Sequence, residues 1–237
     1  MPKYRRRKGA GYSVKSRTWA GFMGTDKAAA RAGRAGAVAA LRGIGVKNVA
    51  MRGLQLGEGE FKSIDVSTAL AINTTSAILL LNGIERGDDI NQRNGREVTM
   101  KSIQLKMATT VTAGDGTDQI HRVLVVYDRQ TNGAPLTTAQ VLQTTDCFSP
   151  RNLENRKRFK ILFDRTYNLN ASGEPGSKHV LRFYRRLLHP ITFNGGDSGN
   201  VADIITGSLY MIVVGSNVAG VTAGSSTGTC RIRYQDK

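Results

Sequence analysis

Two cysteines, one tryptophan, five prolines and three histidines in 237 residues exclude several kinds of protein at once. Cys147 and Cys230 cannot staple a small fold, so both thiols are expected reduced and partly buried, as in a reducing compartment. His121, His179 and His189 are scattered, and with two cysteines they offer no zinc spacing. No apolar run nears the roughly 18 residues of a membrane span. The basic start is not followed by the apolar stretch and cleavage site of a signal peptide, so no membrane insertion is expected. No Gly-x-x-x-x-Gly-Lys-Ser/Thr loop occurs, which leaves a nucleotide hydrolase unsupported.

Acids are scarce as well, and most scarce at one end. Residues 1–52 hold thirteen of the 34 Lys and Arg but one acid, Asp26. That segment carries about +12 of the formal +16, and the rest of the chain is nearly balanced. A cationic arm of this kind repels itself and needs a polyanion to become compact, nucleic acid being the commonest. Its candidate contacts are Lys3, Arg5, Arg6, Arg7, Lys8, Lys15, Arg17, Lys27, Arg31, Arg34 and Arg42. Trp19, Tyr4, Tyr12 and Phe22 lie among them, and aromatics between cations suit single strands, whose bases stack on rings. Arg5-Arg6-Arg7-Lys8 also reads as a nuclear-import signal. Thr25 can N-cap a helix over about 25–42, with Asp26 in its first turn and Gly43 and Gly45 ending it. Lys27, Arg31, Arg34 and Arg42 then share one stripe, while Gly33 and Gly36 each cost about 1 kcal/mol and leave the helix marginal alone. A Gly-rich linker covers 53–59.

From Glu60 the pattern becomes that of a β domain over 60–237. Eight strands are expected: Phe61–Ile72, Ala77–Ile84, Glu97–Val111, Gln119–Asp128, Phe159–Leu169, His179–Phe193, Gly207–Gly215 and Thr229–Gln235. Without regularly alternating helices, these fit an antiparallel sandwich. Val98 and Met100 run out of phase with Ile103, Leu105 and Met107, which predicts a bulge near Lys101-Ser102. Phe159, Ile161, Phe163, Tyr167 and Leu169 alternate on one side of their strand. Arg182, Tyr184 and Arg186 share a face opposite Leu181, Phe183 and Leu187, and Arg231 and Arg233 share one opposite Cys230, Ile232 and Tyr234. Thr137 to Gln143 is the best helix between strands.

Two apparent sites weaken on inspection. Gly196-Asp197-Ser198-Gly199 looks like a serine-protease nucleophile, but no histidine stands in an Ala-His-Cys setting and Asn200 follows. The Asp115/Asp118 and Asp197/Asp203 pairs match no EF-hand, and turn formation accounts for them, so no catalytic residue, metal or cofactor is expected.

Local phrases carry a family likeness. Leu81-Asn82-Gly83-Ile84, Gly87, Asn91-Gln92-Arg93-Asn94-Gly95-Arg96 and Met100-Lys101-Ser102-Ile103 form one ordered run. Asp164-Arg165-Thr166-Tyr167-Asn168-Leu169, Ile205-Thr206-Gly207-Ser208-Leu209-Tyr210 and Arg233-Tyr234-Gln235-Asp236 follow it. In order and spacing these resemble capsid proteins of circular, Rep-encoding single-stranded DNA viruses (circovirus-like). Satellite plant-virus coats with RNA genomes share the same arm-plus-jelly-roll plan.

The resemblance implies an all-β, eight-stranded antiparallel jelly-roll sandwich with a basic, partly helical N-terminal arm. It also implies an icosahedral shell of about 60 copies, on the order of 700 arm charges inside it, and a packaged genome, single-stranded DNA ahead of RNA. Virion and host nucleus are the implied locations; a host import receptor and a cell-surface attachment factor are the implied further partners. Arg156, Lys157 and Arg158, with Arg182 and Arg186, become candidates to extend the basic inner surface, the plainer reading being a charged strand edge. Tyr184 is read as a core or interface residue ahead of a base-stacking one. The competing class is a non-viral nucleic-acid-binding β domain, which particle size would separate.

Overall fold

A computed structural model describes residues 60–218 and 223–236. The arm, its helix over 25–42, the import motif and the linker lie outside them.

The strands are β1 (Phe61–Ser67), β2 (Leu70–Ile72), β3 (Ala77–Leu80), β4 (Glu97–Thr110) and β5 (Gln119–Asp128), then β6 (Phe159–Leu169), β7 (Lys178–Phe193), β8 (Ile204–Thr206), β9 (Ser208–Gly215) and β10 (Gly224–Asp236). All pair antiparallel, in two sheets. One runs β1-β10-β4-β7-β8, with β2 also on β10; the other runs β3-β9-β5-β6. Early strands therefore pair with late ones, β1 with β10 and β3 with β9, which is the rolled connectivity of a jelly roll. The eight expected strands are all present. The first is split in two at Thr68, where Ser226 Oγ donates to the Thr68 carbonyl and accepts from the Leu70 amide. β8 is additional, and β10 starts at Gly224, ahead of the expected Thr229. One helical turn, α1 (Thr138–Val141), stands where Thr137 to Gln143 is expected.

The main core lies between the sheets, with Ile103, Leu105, Cys230 and Ile232 facing Val123, Val125, Met211 and Val213. A second core lies on the other side of the four-stranded sheet. There Leu136, Val141, Leu142 and Cys147 of the β5–β6 connection cover Leu124, Val126, Ile212 and Val214. Hence β5 and β9 are buried on both faces, which is why Val123 to Tyr127 and Leu209 to Val214 read as unbroken apolar runs. At about 1.5–3 kcal/mol per buried aliphatic side chain, covering that face is a large share of the stabilisation.

The bulge near Lys101 is present: register shifts between Met100 and Ser102 against β7, and at Arg233/Tyr234 against β10. A second one corrects the expectation for β6. Leu162 is skipped between the pairs Val125–Phe163 and Val126–Ile161. The strand therefore changes face, so Phe159 and Ile161 join the second core while Leu162, Phe163 and Tyr167 join the main one. Both thiols are free and buried, Cys230 most deeply, and burial pushes its thiol up to about 12.

His121 on β5 is fully buried, and its Nε2 lies 2.9 Å from Gln119 Oε1. Burial pushes its imidazole down to about 4. Between an unfolded value near 6.5 and that figure the unfolded chain holds a proton that the folded chain refuses. Stability is then lost as pH falls from about 6.5 to about 4, by up to about 3 kcal/mol. Urea midpoints at the two ends of that window should differ less in His121→Phe than in the parent; equal differences would remove His121 as the cause.

Candidate nucleic-acid interface

With its sister sheet covered on both sides, the six-stranded sheet has one face that no other described element covers. Antiparallel register sets the outward residues in rows across it, strands about 4.8 Å apart. One row is Ser63–Arg233–Ser102–Arg186, the next Asp65–Arg231–Gln104–Tyr184, the third Ser67–Thr229–Lys106–Arg182. Lys106, Arg182, Arg186, Arg231 and Arg233 are all exposed. In these rows Asp65 is the sole acid. Arg231 Nε donates to its Oδ1 at 2.7 Å, and that bond holds the Asp65 carboxyl below the usual carboxylate range. The other four cations have no ion pair among the described residues. Gln104, Lys106, Thr229 and Arg231 line a shallow open depression in the face. Unneutralised cations on a flat, solvated surface can take phosphates without selecting sequence.

The structure therefore brings Arg182 and Arg186 together, as expected, but not with Arg156, Lys157 and Arg158. These three close the β5–β6 connection, on the far side of the four-stranded sheet. Arg156 lines a depression there with Val141, Phe159 and Ile161. Arg158 is committed elsewhere: its Nε and Nη2 donate to Asp128 at 2.9 and 2.7 Å, and its guanidinium lies 4.7 Å from the Phe159 ring centre. One continuous surface with Arg182 is excluded by that placement. The residues missed are Lys106, Arg231 and Arg233. Their alternation was visible strand by strand; that three strands present it to the same side needed the register.

The sequence phrases prove to be fasteners. Asn82 is fully buried, donates to the Gly207 carbonyl at 2.9 Å and accepts from the Leu209 amide at 2.7 Å, joining two phrases far apart in sequence. Gly207 has φ +91°, and a Cβ there would meet the Pro190 carbonyl oxygen. Arg93 is 1% exposed and donates to the carbonyls of Ile84, Gly95 and Gly196 at 3.2, 3.0 and 2.5 Å, 4.0 Å over the Phe193 ring. Asp236 accepts from the Asn94 amide at 2.6 Å. Asp164 accepts two bonds from buried Arg122, at 2.9 and 3.0 Å, and two from Arg151, at 3.3 and 3.0 Å.

The protease-like loop is a fastener as well. Ser198 Oγ donates to Asp203 Oδ2 at 2.6 Å, and this bond first of all holds the Asp203 carboxyl below its usual range. A carboxylate so held is a poor base for activating a serine. His121 lies on β5, and His179 and His189 on β7. Asp115 accepts from Thr117, Gln119 and Asn217, which makes it a turn residue.

Residues 46–237 match the family model described as satellite tobacco necrosis virus coat protein. The capsid protein of Satellite tobacco necrosis virus 1 is 31% identical over 60% of this chain and 70% of its own length. The coat protein of Maize white line mosaic Satellite virus is 31% identical over 45% of this chain, and half of its length is covered. Among solved structures, that of desmodium yellow mottle tymovirus aligns over 75% of this chain and 88% of its own at 10% identity and a TM-score of 0.35, too loose to bear on function. The similarity thus goes to satellite-virus coats, which corrects the likeness to circular single-stranded DNA virus capsids. The import reading of Arg5 to Lys8 gains nothing from these relatives.

Proposed function

From the premise that the chain belongs to the satellite tobacco necrosis virus coat protein family, and is thus a viral coat protein, we propose that it is the subunit of a small icosahedral shell packaging single-stranded RNA. The polymer is held by two cationic surfaces: the arm, residues 1–52, and the bare face of the six-stranded sheet in the body, residues 60–237. The segment 53–59 links them. About 60 copies close the shell by symmetric contacts. RNA replaces DNA in this reading because the matched relatives are satellite-virus coats. Arg5 to Lys8 then serve the polymer and need no import role.

The carrying observation is a cluster of cations in register on one sheet face. Lys106, Arg182, Arg186 and Arg233 share one sheet face without an ion pair among the described residues, and Asp65, already bonded to Arg231, is the one acid in their rows. Cations gathered in adjacent rows of one face, with a single acid among them, are placed for an external polyanion.

The test reverses two of them. A Lys106→Glu, Arg186→Glu variant should fold and yet package less RNA. Its log–log salt slope for binding unstructured RNA should fall by about 1.4, near 0.7 per lost phosphate contact. A slope and RNA content equal to the parent would place this face away from the genome.

A further inference from the structure

We propose that an unpaired base of the packaged polymer stacks on the ring of Tyr184, so that the six-stranded sheet distinguishes single-stranded from paired nucleic acid. This rests on the reading that the bare sheet face meets the genome.

Tyr184 sits on β7 at the end of the middle row, 58% exposed. It has no hydrogen bond or ring contact among the described residues, whereas Tyr127, Tyr167 and Tyr234 are each packed or bonded. An aromatic ring held this far into water forgoes the burial that usually justifies it. Its surroundings say what covers it. Arg182 and Arg186 flank it at two residues either way, about 6.8 Å along the strand, the scale on which phosphates follow one another in a stretched single strand. Gln104 lies beside it in register, offering donor and acceptor to a base edge.

A second copy of this chain is a worse occupant. A symmetric contact over Tyr184 would bring Arg182 and Arg186 against like charges with no acid between them. A duplex is a worse occupant too, because its bases stay stacked inside and it presents only backbone to the ring. Single strands satisfy both needs together, phosphates on the arginines and a base on the ring.

The test uses full-length protein, with a short unstructured adenine-rich RNA and a fully paired RNA of the same length. Tyr184→Leu should weaken the unpaired RNA by roughly tenfold and the duplex by less than about twofold. Tyr184→Phe should match the parent on both. Ultraviolet cross-linking in assembled particles should join RNA to the peptide holding Tyr184, and Tyr184→Leu should abolish that link. Equal loss on both RNAs, or no loss on either, overturns the proposal, as does failed assembly of Tyr184→Leu alongside a parent showing no cross-link. The Lys106→Glu, Arg186→Glu variant separates the two claims. If it weakens both RNAs while Tyr184→Leu changes neither, stacking fails and the genome-facing reading stands. If it too changes nothing, the genome-facing reading itself fails.

Discussion

Removing residues 1–24 should leave a folded β body that assembles with far less RNA. The deletion takes Lys3, Arg5, Arg6, Arg7, Lys8, Lys15 and Arg17, seven of the arm's thirteen cations, and no acid. If each meets a phosphate, the log–log salt slope for single-stranded RNA falls by up to about 5, which near physiological salt is several orders of magnitude in affinity. The circular-dichroism spectrum should keep its β character, because every strand of the described residues starts at Phe61 or later. Nuclease-protected RNA per particle and the salt slope are the two measurements. Full packaging by the truncated chain would leave the sheet face, or residues 25–52, as the sole binding element.

Arg93→Ala should be the most damaging single change in the body. Its guanidinium reaches three carbonyls in the β3–β4 and β7–β8 connections and covers the Phe193 ring. No carboxylate among the described residues salt-bridges it, and burial pulls its pKa below the usual guanidinium value, with Asp203 partly restoring it. Such a cation is tolerated only because every neighbouring acceptor turns toward it. Truncation leaves those carbonyls buried without a donor, which costs about 3–5 kcal/mol. In a body of this size that is roughly 10 °C in Tm. Arg93→Lys should recover part of the loss, since an ammonium can reach one or two of the carbonyls but cannot form the fork. A thermal melt of Arg93→Ala within a degree or two of the parent would show that these loops hold without it.

Much of the fold could be read directly. Alternation marked the outward faces of β7 and β10, and the phase slip between Met100 and Ile103 marked the β4 bulge. Two features were hidden. In β6, Phe159, Ile161, Phe163, Tyr167 and Leu169 keep one alternating phase apart from Arg165, so the skipped Leu162 did not stand out: both sides of that strand meet apolar partners. The second core was hidden because Leu136, Val141 and Cys147 sit in an irregular stretch with no period. Of the interface, Arg182 and Arg186 were legible because two arginines and a tyrosine on one strand face stand out. Lys106 did not, being a single lysine between apolar Leu105 and Met107 with no other cation on its face of β4. Arg158 looked like part of a basic cluster, and only the fold shows it turned inward to Asp128.

The β5–β6 connection gives the subunit a back and a front. Side chains on the back are carried by one excursion, residues 129–158, with Phe148 and Leu153 standing clear of it. Side chains on the front are spread over strands that also build the main core. Exposed positions of that excursion such as Phe148 and Leu153 can therefore drift in sequence, changing what the subunit displays on that side, while the front changes only at the expense of sheet pairing.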